Sequence, residues 1–355
     1  MPIYKEKNKF YFRIYYDNLD GSRTQYKSKR YDTKKECEKA EAVFRLSQQQ
    51  IKSKITFEEV YDYYLNQYKL KNKYSTYYTF YTTFEKRVLP YFKNKPIEDI
   101  TKVDIDKYVS EMQKEGRNRA SINKYLLYIK SILNEAEMTF NLNCMNTRLI
   151  KHLPATEPKK EMLFWEYDEW KNFIKYVSEI EFKALFSSLY YLGLRLGEAQ
   201  ALKWNDYYNK QIHVHGTLNE KVQKEITTPK TLNSYRYVDV PDVIIELLDE
   251  LRQYYKTNNE YNDEWYIFGG YKPIPRTTIR RHFENYIKES GNKRIRLHDL
   301  RHSAVSLLRH LGLDEYQIAE RMGHTPQMVR EVYAHLFEEK KREAVDKLNQ
   351  LERKS

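Results

Sequence analysis

The stretch that decides the fold runs from position 298 to position 333. It opens His298-Asp299-Leu300-Arg301-His302-Ser303, passes through Gly323-His324-Thr325-Pro326 and closes on Tyr333. Leu300, Ala304, Leu307, Leu308 and Leu311 recur at spacings of three and four, which predicts a helix opening at His298 with one apolar stripe. Arg301 falls at the edge of that stripe, one turn from His298. A guanidinium placed against apolar neighbours needs a partner. Gly323 ends a second helix, Thr325 caps a third and Pro326 takes its first position. Met328, Val329, Val332 and Leu336 form the predicted buried face of that third helix. Tyr333 lies at its edge, nine residues after His324. With 34 tyrosines in 355 residues, a tyrosine at that offset carries little meaning alone.

Upstream, Gly193-Leu194-Arg195-Leu196-Gly197-Glu198 joins two apolar segments. Gly193 can end the first helix, and Glu198 falls in the first turn of the next. Arg195 therefore sits on a tight turn beside a helix N-terminus, a place that suits an oxyanion. Between the two motifs, Ile212-His213-Val214-His215 and Tyr235-Arg236-Tyr237-Val238-Asp239-Val240 alternate like strands. Thr228-Pro229-Lys230-Thr231 lies between them, which puts Lys230 near a hairpin turn. His213 and His215 share a strand face, but a zinc site needs ligands that the sequence does not supply. His302 reads as a helix-packing residue.

Composition narrows the class. Lys plus Arg is 62 and Asp plus Glu is 50, a formal charge of +12 that points to a polyanionic partner. Apolar residues make up 41%, enough to fill a core, so disorder throughout is excluded. Two cysteines, Cys37 and Cys144, cannot build a disulfide framework or a four-cysteine zinc site. The longest uncharged apolar stretch, Ala184 to Leu194, is too short to span a bilayer, which needs about 20 residues. The start lacks a signal peptide's apolar core. We expect a cytoplasmic protein with no membrane contact. The many Tyr, Lys, Asn and Ile read as the coding bias of an AT-rich genome.

The first 50 residues hold 12 Lys/Arg against 7 Asp/Glu. Phe10 to Tyr16 reads as a strand, Asp17 to Gly21 as a turn and Thr24 to Tyr31 as a returning strand. Thr33 starts a helix through Gln50, with Glu36 as its capping-box partner. Gln48 to Lys54 reads as a linker. Thr56-Phe57-Glu58-Glu59 is a second capping box, followed by helical segments near 56–70, 74–90, 102–115 and 118–138. Pro90, Pro96 and Gly116 punctuate them. Leu153 to Lys160 is the clearest linker. These breaks divide the chain into 1–53, 54–152 and 153–355, the last ending in an amphipathic helix over Phe337 to Lys354. The fold class is multidomain and mainly α: a small sheet with a helix, a four-helix unit, then a mixed α/β domain.

Taken in order, Arg195, Lys230, His298, Arg301, His324 and Tyr333 supply two guanidiniums, one ammonium, two imidazoles and one phenol. The set contains no carboxylate cluster for a metal. That inventory suits phosphoryl transfer without a divalent ion: guanidiniums hold non-bridging oxygens, a phenol attacks, and a lysine or histidine protonates the leaving oxygen. The ordered set resembles the tyrosine recombinases, in particular phage-type integrases with an arm-binding domain. The resemblance covers nearly the whole chain. It rests on G-L-R-x-G-E at Arg195, T-P-K-T at Lys230, H-x-L-R-H at His298 and Arg301, G-H at His324, and Tyr333.

The resemblance implies a site-specific DNA recombinase that integrates, and excises, a phage or integrative element. Tyr333 would attack a scissile phosphate and form a 3′-phosphotyrosyl link. Arg195, Arg301 and His324 would contact the phosphate oxygens, Lys230 would protonate the 5′ oxygen, and His298 would take the proton from Tyr333. Glu198 would orient the site. The implied partners are double-stranded DNA at core and arm attachment sites, a homo-tetramer passing through a Holliday junction, an excisionase and a host DNA-bending protein. No cofactor is implied, and the tail helix would pack on a neighbouring subunit or on its own domain. Two other readings stay open: a non-cutting DNA-binding regulator of the same fold, and a type IB-like topoisomerase. The intact catalytic set weighs against the first, and the arm-binding segment against the second.

Overall fold

The computed structural model describes residues 3–17, 23–52, 55–155, 162–219, 226–227, 235–331 and 349. The chain divides into two compact units, Met1–Pro158 and Lys159–Ser355.

The first unit begins with an antiparallel sheet of order β1-β2-β3: β1 (Ile3–Glu6), β2 (Lys9–Asp17) and β3 (Arg23–Lys27). The sequence reading missed β1, a four-residue edge strand with two charges. Its hairpin turn is made by Lys7 and Asn8, both at positive φ (48° and 61°), the geometry of a tight two-residue loop. The predicted turn over Asp17 to Gly21 falls mostly outside the described residues. Helix α1 (Lys34–Lys52) packs Phe44 flat on Tyr26, ring centroids 4.1 Å apart. Its predicted capping box is present: Thr33 Oγ1 accepts from the Glu36 N–H (3.2 Å), and Glu36 accepts from the Thr33 N–H (3.3 Å). The expected linker at Gln48 to Lys54 is corrected in part. Helix α1 runs through Lys52, because a polar stretch with no Gly or Pro does not break a helix already started.

The helical segment follows: α2 (Phe57–Lys71), α3 (Tyr74–Arg87), α4 (Leu89–Phe92), α5 (Lys102–Lys114) and α6 (Arg119–Phe140). Thr56 and Thr101 cap α2 and α5 with reciprocal boxes to Glu59 and Asp104. Pro90 starts a short helix of its own in the first turn of α4. Gly116, at φ 71°, lets the chain reverse between α5 and α6. One apolar core runs from Ile55 to Ile150, with Phe57, Phe84, Ile129 and Leu133 fully buried. Leu153 is tied back to it: its N–H donates to Asn123 Oδ1 (2.8 Å).

The second unit contains α7 (Tyr167–Tyr176), α8 (Ile180–Tyr191), α9 (Leu196–Ala201), α10 (Asp242–Lys256), α11 (Arg276–Ser290), α12 (Asp299–His310) and α13 (Glu315–Met322). A sheet of order β4-β5-β8 joins β4 (Tyr207–Tyr208), β5 (Gln211–Val214) and β8 (Arg236–Asp239), all antiparallel. The pair β6 (Thr217–Leu218) and β7 (Ile226–Thr227) stands apart from it. Helix α8 is apolar nearly all round, and so is buried between α10 and α12. The large core spans Trp165 to Leu300, and a second cluster joins Ala304, Val305 and Leu308 of α12 to Ile318, Ala319 and Met322 of α13. Two expected apolar contacts do not form. Leu311 caps the end of α12 and Met328 lies in the first turn of the next helical stretch, and both are exposed (65% and 45%). Val332, Leu336 and the predicted tail helix, apart from position 349, lie outside the described residues.

Candidate active site

The site is built where α8 ends, α9 begins and α12 meets α13. Gly193 adopts φ 62° and turns the chain out of α8. A Cβ there would also come within 2.4 Å of the Met322 side chain. Arg195 is the N-cap residue of α9, and its N–H donates to Glu198 Oε2 (3.0 Å). The Arg195 guanidinium donates to Glu198 Oε1 (2.7 Å), and its side chain stays about a third exposed. Gly197 allows α9 to press on β6: a Cβ there would meet Thr217 Oγ1 at 2.5 Å and the Leu218 carbonyl at 3.1 Å.

Glu198 is almost fully buried and takes a second guanidinium. Arg236 Nη2, from β8, donates to Glu198 Oε2 (3.0 Å), and Arg236 Nε donates to the Arg321 carbonyl at the end of α13 (2.8 Å). Burial by itself would raise the Glu198 pKa. Arg236 first, then Arg195 and Arg301, outweigh it and hold the carboxyl below its ordinary value. Glu198 is therefore an ionised hub inside the protein.

Arg301 is 2% exposed. The sequence placed it at the edge of the α12 stripe; the structure puts it beneath, where the two apolar clusters meet. Its Nη1 donates to the Gly193 carbonyl, and its Nη2 donates to the Met322 carbonyl and to His324 Nε2 (2.8 Å). A guanidinium only donates, so His324 Nε2 accepts and the ring proton sits on Nδ1. That Nδ1 is buried with no hydrogen-bond partner among the described residues. Desolvation, then Arg301, Arg195 and Arg236, push the His324 pKa down to about 3, so the ring is neutral at physiological pH.

His298 is the N-cap residue of α12 and opens to solvent. Desolvation, then Arg301, lowers its pKa. Desolvation and neighbouring positive charge both favour the neutral ring. His302, one turn on, packs edge-on to the His298 ring, centroids 5.1 Å apart. Arg195 and His298 line one cleft of about 580 Å³, which Arg276 and Arg280 of α11 and Arg294 and Arg296 before α12 also enter. Glu284 offsets part of that charge, accepting from Arg280 (2.9 Å) and Arg294 (3.4 Å).

Of the residues singled out from the sequence, Arg195, Glu198, Arg301 and His324 are thus joined in one network, and His298 shares the Arg195 cleft. Lys230 and Tyr333 lie outside the described residues. His213 and His215 do share a face of β5, but His215 Nε2 bonds Asp206 (2.8 Å) and His213 stacks on Tyr237. Among the described residues, no three His, Cys, Asp or Glu side chains are grouped to hold a metal. The sequence reading missed Arg236 and the cleft arginines. The signal for Arg236 was present: it occupies an inward position of an alternating strand, where an unpaired charge does not stay.

Comparison with known proteins decides the family. The phage integrase family model matches residues 163–340, the stretch that holds every one of these side chains. The chain belongs to the phage integrase family. The SAM-like N-terminal domain of phage integrases matches 56–113, and an arm DNA-binding domain matches 2–47. The ICEBs1 integrase of Bacillus subtilis (strain 168) is 30% identical over 339 residues, 90% of each chain. A XerC-like tyrosine recombinase of Caldanaerobacter subterraneus is 25% identical over 305 residues, 76% of this chain and 78% of that one. Two solved structures share the fold. The Tn1549 transposon integrase in complex with transposon right end DNA has a TM-score of 0.66 at 17% identity, covering 83% of this chain and 100% of that one. A lambda integrase tetramer bound to a Holliday junction has a TM-score of 0.61 at 16% identity, covering 92% and 96%. This integrase is accordingly a site-specific recombinase of the tyrosine type, the class that the sequence alone had suggested. No helix among the described residues is long and apolar enough to cross a membrane.

Proposed function

We propose that this integrase cuts and rejoins DNA with Tyr333 as nucleophile. One observation carries the reading. Two guanidiniums, Arg195 and Arg301, meet around the Glu198 hub, with two neutral imidazoles beside them. Such a site is charged to receive a phosphodiester, and the exposed His298 ring stands beside it as a base.

In the proposed cycle the Tyr333 oxygen bonds to the scissile phosphorus and the bond from phosphorus to the 5′ oxygen breaks. His298 takes the phenol proton and Lys230 supplies one to the leaving 5′ oxygen. Arg195, Arg301 and His324 bind the non-bridging oxygens, so charge gained in the transition state meets fixed positive groups. A 5′-hydroxyl from another strand then attacks the phosphotyrosine and restores the backbone without ATP. Residues 153–355 perform this chemistry, 54–152 grip the core site and 1–53 grip arm sites. The working form is a tetramer on double-stranded DNA in the cytoplasm, at the nucleoid. An excisionase and a host DNA-bending protein direct it and shape its attachment site. The cleft arginines follow phosphates flanking the cut, a salt-dependent grip.

The test is covalent trapping. The full chain, with EDTA present, is incubated with a nicked suicide duplex carrying the element's attachment junction, beside Tyr333→Phe. A protein–DNA band on a denaturing gel that only Tyr333→Phe loses is the expected result. Binding to the junction without any such band would replace this reading with a non-cutting regulator. Relaxation of supercoiled DNA lacking the junction would point instead to a topoisomerase.

A further inference from the structure

We infer that Arg236 is a positioning residue for strand cleavage: it fixes the Arg195–Glu198 pair to the end of α13, and so sets the distance between the two halves of the site. The inference rests on the catalytic reading above.

Arg236 is 8% exposed. Its planar fork reaches in two directions. Nη2 donates to Glu198 Oε2 at 3.0 Å, and Nε donates to the Arg321 carbonyl at 2.8 Å. Glu198 is on α9, three residues from Arg195; Arg321 is three residues before His324. One side chain from β8 therefore spans from the arginine on one wall to the histidine on the other. Arg321 returns the tie, donating to the Asp239 carbonyl at the far end of β8 (3.0 Å). A lysine carries the charge but offers no flat fork to hold both acceptors at fixed angles. Arg236 also keeps Glu198 ionised, and the carboxylate accepts from Arg195 on both its main chain and its side chain. The charged and titratable groups facing Glu198 are Arg195 on its own helix, Arg236 from β8, Arg301 from α12 and His324 after α13.

The experiment measures single-turnover formation of the covalent complex on the nicked junction duplex, at saturating protein and from pH 5 to 9. DNA affinity is measured separately by gel shift. Arg236→Met should cleave about 100-fold more slowly with affinity within threefold of wild type, as expected when a catalytic group is misplaced but binding is spared. Its rate should also fall off at higher pH on the acid side, since Glu198 loses its strongest partner and protonates more readily. Arg236→Lys should recover about tenfold of the loss. The double variant Arg236→Met/Glu198→Gln removes the buried carboxylate together with its guanidinium partner, and should be no slower than the slower single variant, because both act on one linkage.

A wild-type rate in Arg236→Lys, should Arg236→Met fail to fold, would overturn the inference. So would a loss seen only in affinity, an unmoved acid limb, or losses that multiply in the double variant. A wild-type chain that binds the junction and never forms the covalent complex would overturn the catalytic reading itself, and this inference with it.

Discussion

Arg195 and Arg301 carry the same guanidinium in the same site, yet the protein holds them in opposite ways. Arg301 is buried, and two main-chain carbonyls and a histidine take its protons. Arg195 keeps about a third of its side chain exposed and leans on one carboxylate. Carbonyls do not titrate and move only if the fold moves. Arg301 is therefore a permanent charge and a structural tie between the ends of α8 and α13. Arg195 is positioned only while Glu198 is ionised and Glu198 is itself held. Arg195 is the more open of the two, and its geometry depends on its neighbours.

The sharpest way to break this contrast is to remove each guanidinium in turn and compare stability. Arg301→Met leaves the Gly193 and Met322 carbonyls short of a buried donor and should cost about 3–5 kcal/mol. Arg195→Met removes one half-exposed pair and should cost about 1 kcal/mol or less. Urea unfolding of the two variants checks both numbers; equal losses would erase the distinction.

A smaller effect is expected at the turn between them. Gly193→Ala places a side chain at φ 62° and within 2.4 Å of Met322, so about 1–3 kcal/mol should be lost. Shortening the obstruction with Met322→Ala should relieve the clash but not the backbone strain. A double-variant melt would separate the two parts.

The last effect is a slope. His324, near 3, and His302, pushed down to about 4 chiefly by desolvation, are neutral in the folded state well below the ordinary histidine value. An unfolded chain binds protons at these rings from about pH 6.5 downward. Stability tied to them is thus complete above pH 6.5 and is lost as pH falls toward 4 and then 3. His302→Asn should flatten the dependence of Tm on pH over that interval, and an unchanged slope would count against the neutral ring.

The sequence was most legible where function demands a fixed order of residue types. Arg195 and His324 could be picked out because each sits at a helix boundary marked by Gly, Thr or Pro, and His298 and Arg301 because they open a helix with a regular apolar stripe. What escaped was long-range. Arg236 has its carboxylate partner 38 residues away and its carbonyl partner 85 away, so no local pattern joins them. The depth of Arg301 was hidden for the same reason: its acceptors are main-chain atoms 108 and 21 residues distant, which no side-chain spacing encodes. Local errors had local causes. Strand β1 is too short and charged to show alternation, and α1 outran its apolar signal because nothing at Gln48 to Lys52 stops a helix.

Gly197 has one more consequence, for how this protein can vary. The space beside it is closed by a threonine hydroxyl on one side and a main-chain carbonyl on the other. The hydroxyl belongs to Thr217, so position 197 and position 217 share a single vacancy and cannot both fill it. In a library randomised at the two sites and selected for recombination, alanine at 197 should survive only beside glycine or alanine at 217. Nothing larger should survive at all, because the Leu218 carbonyl does not vary with sequence.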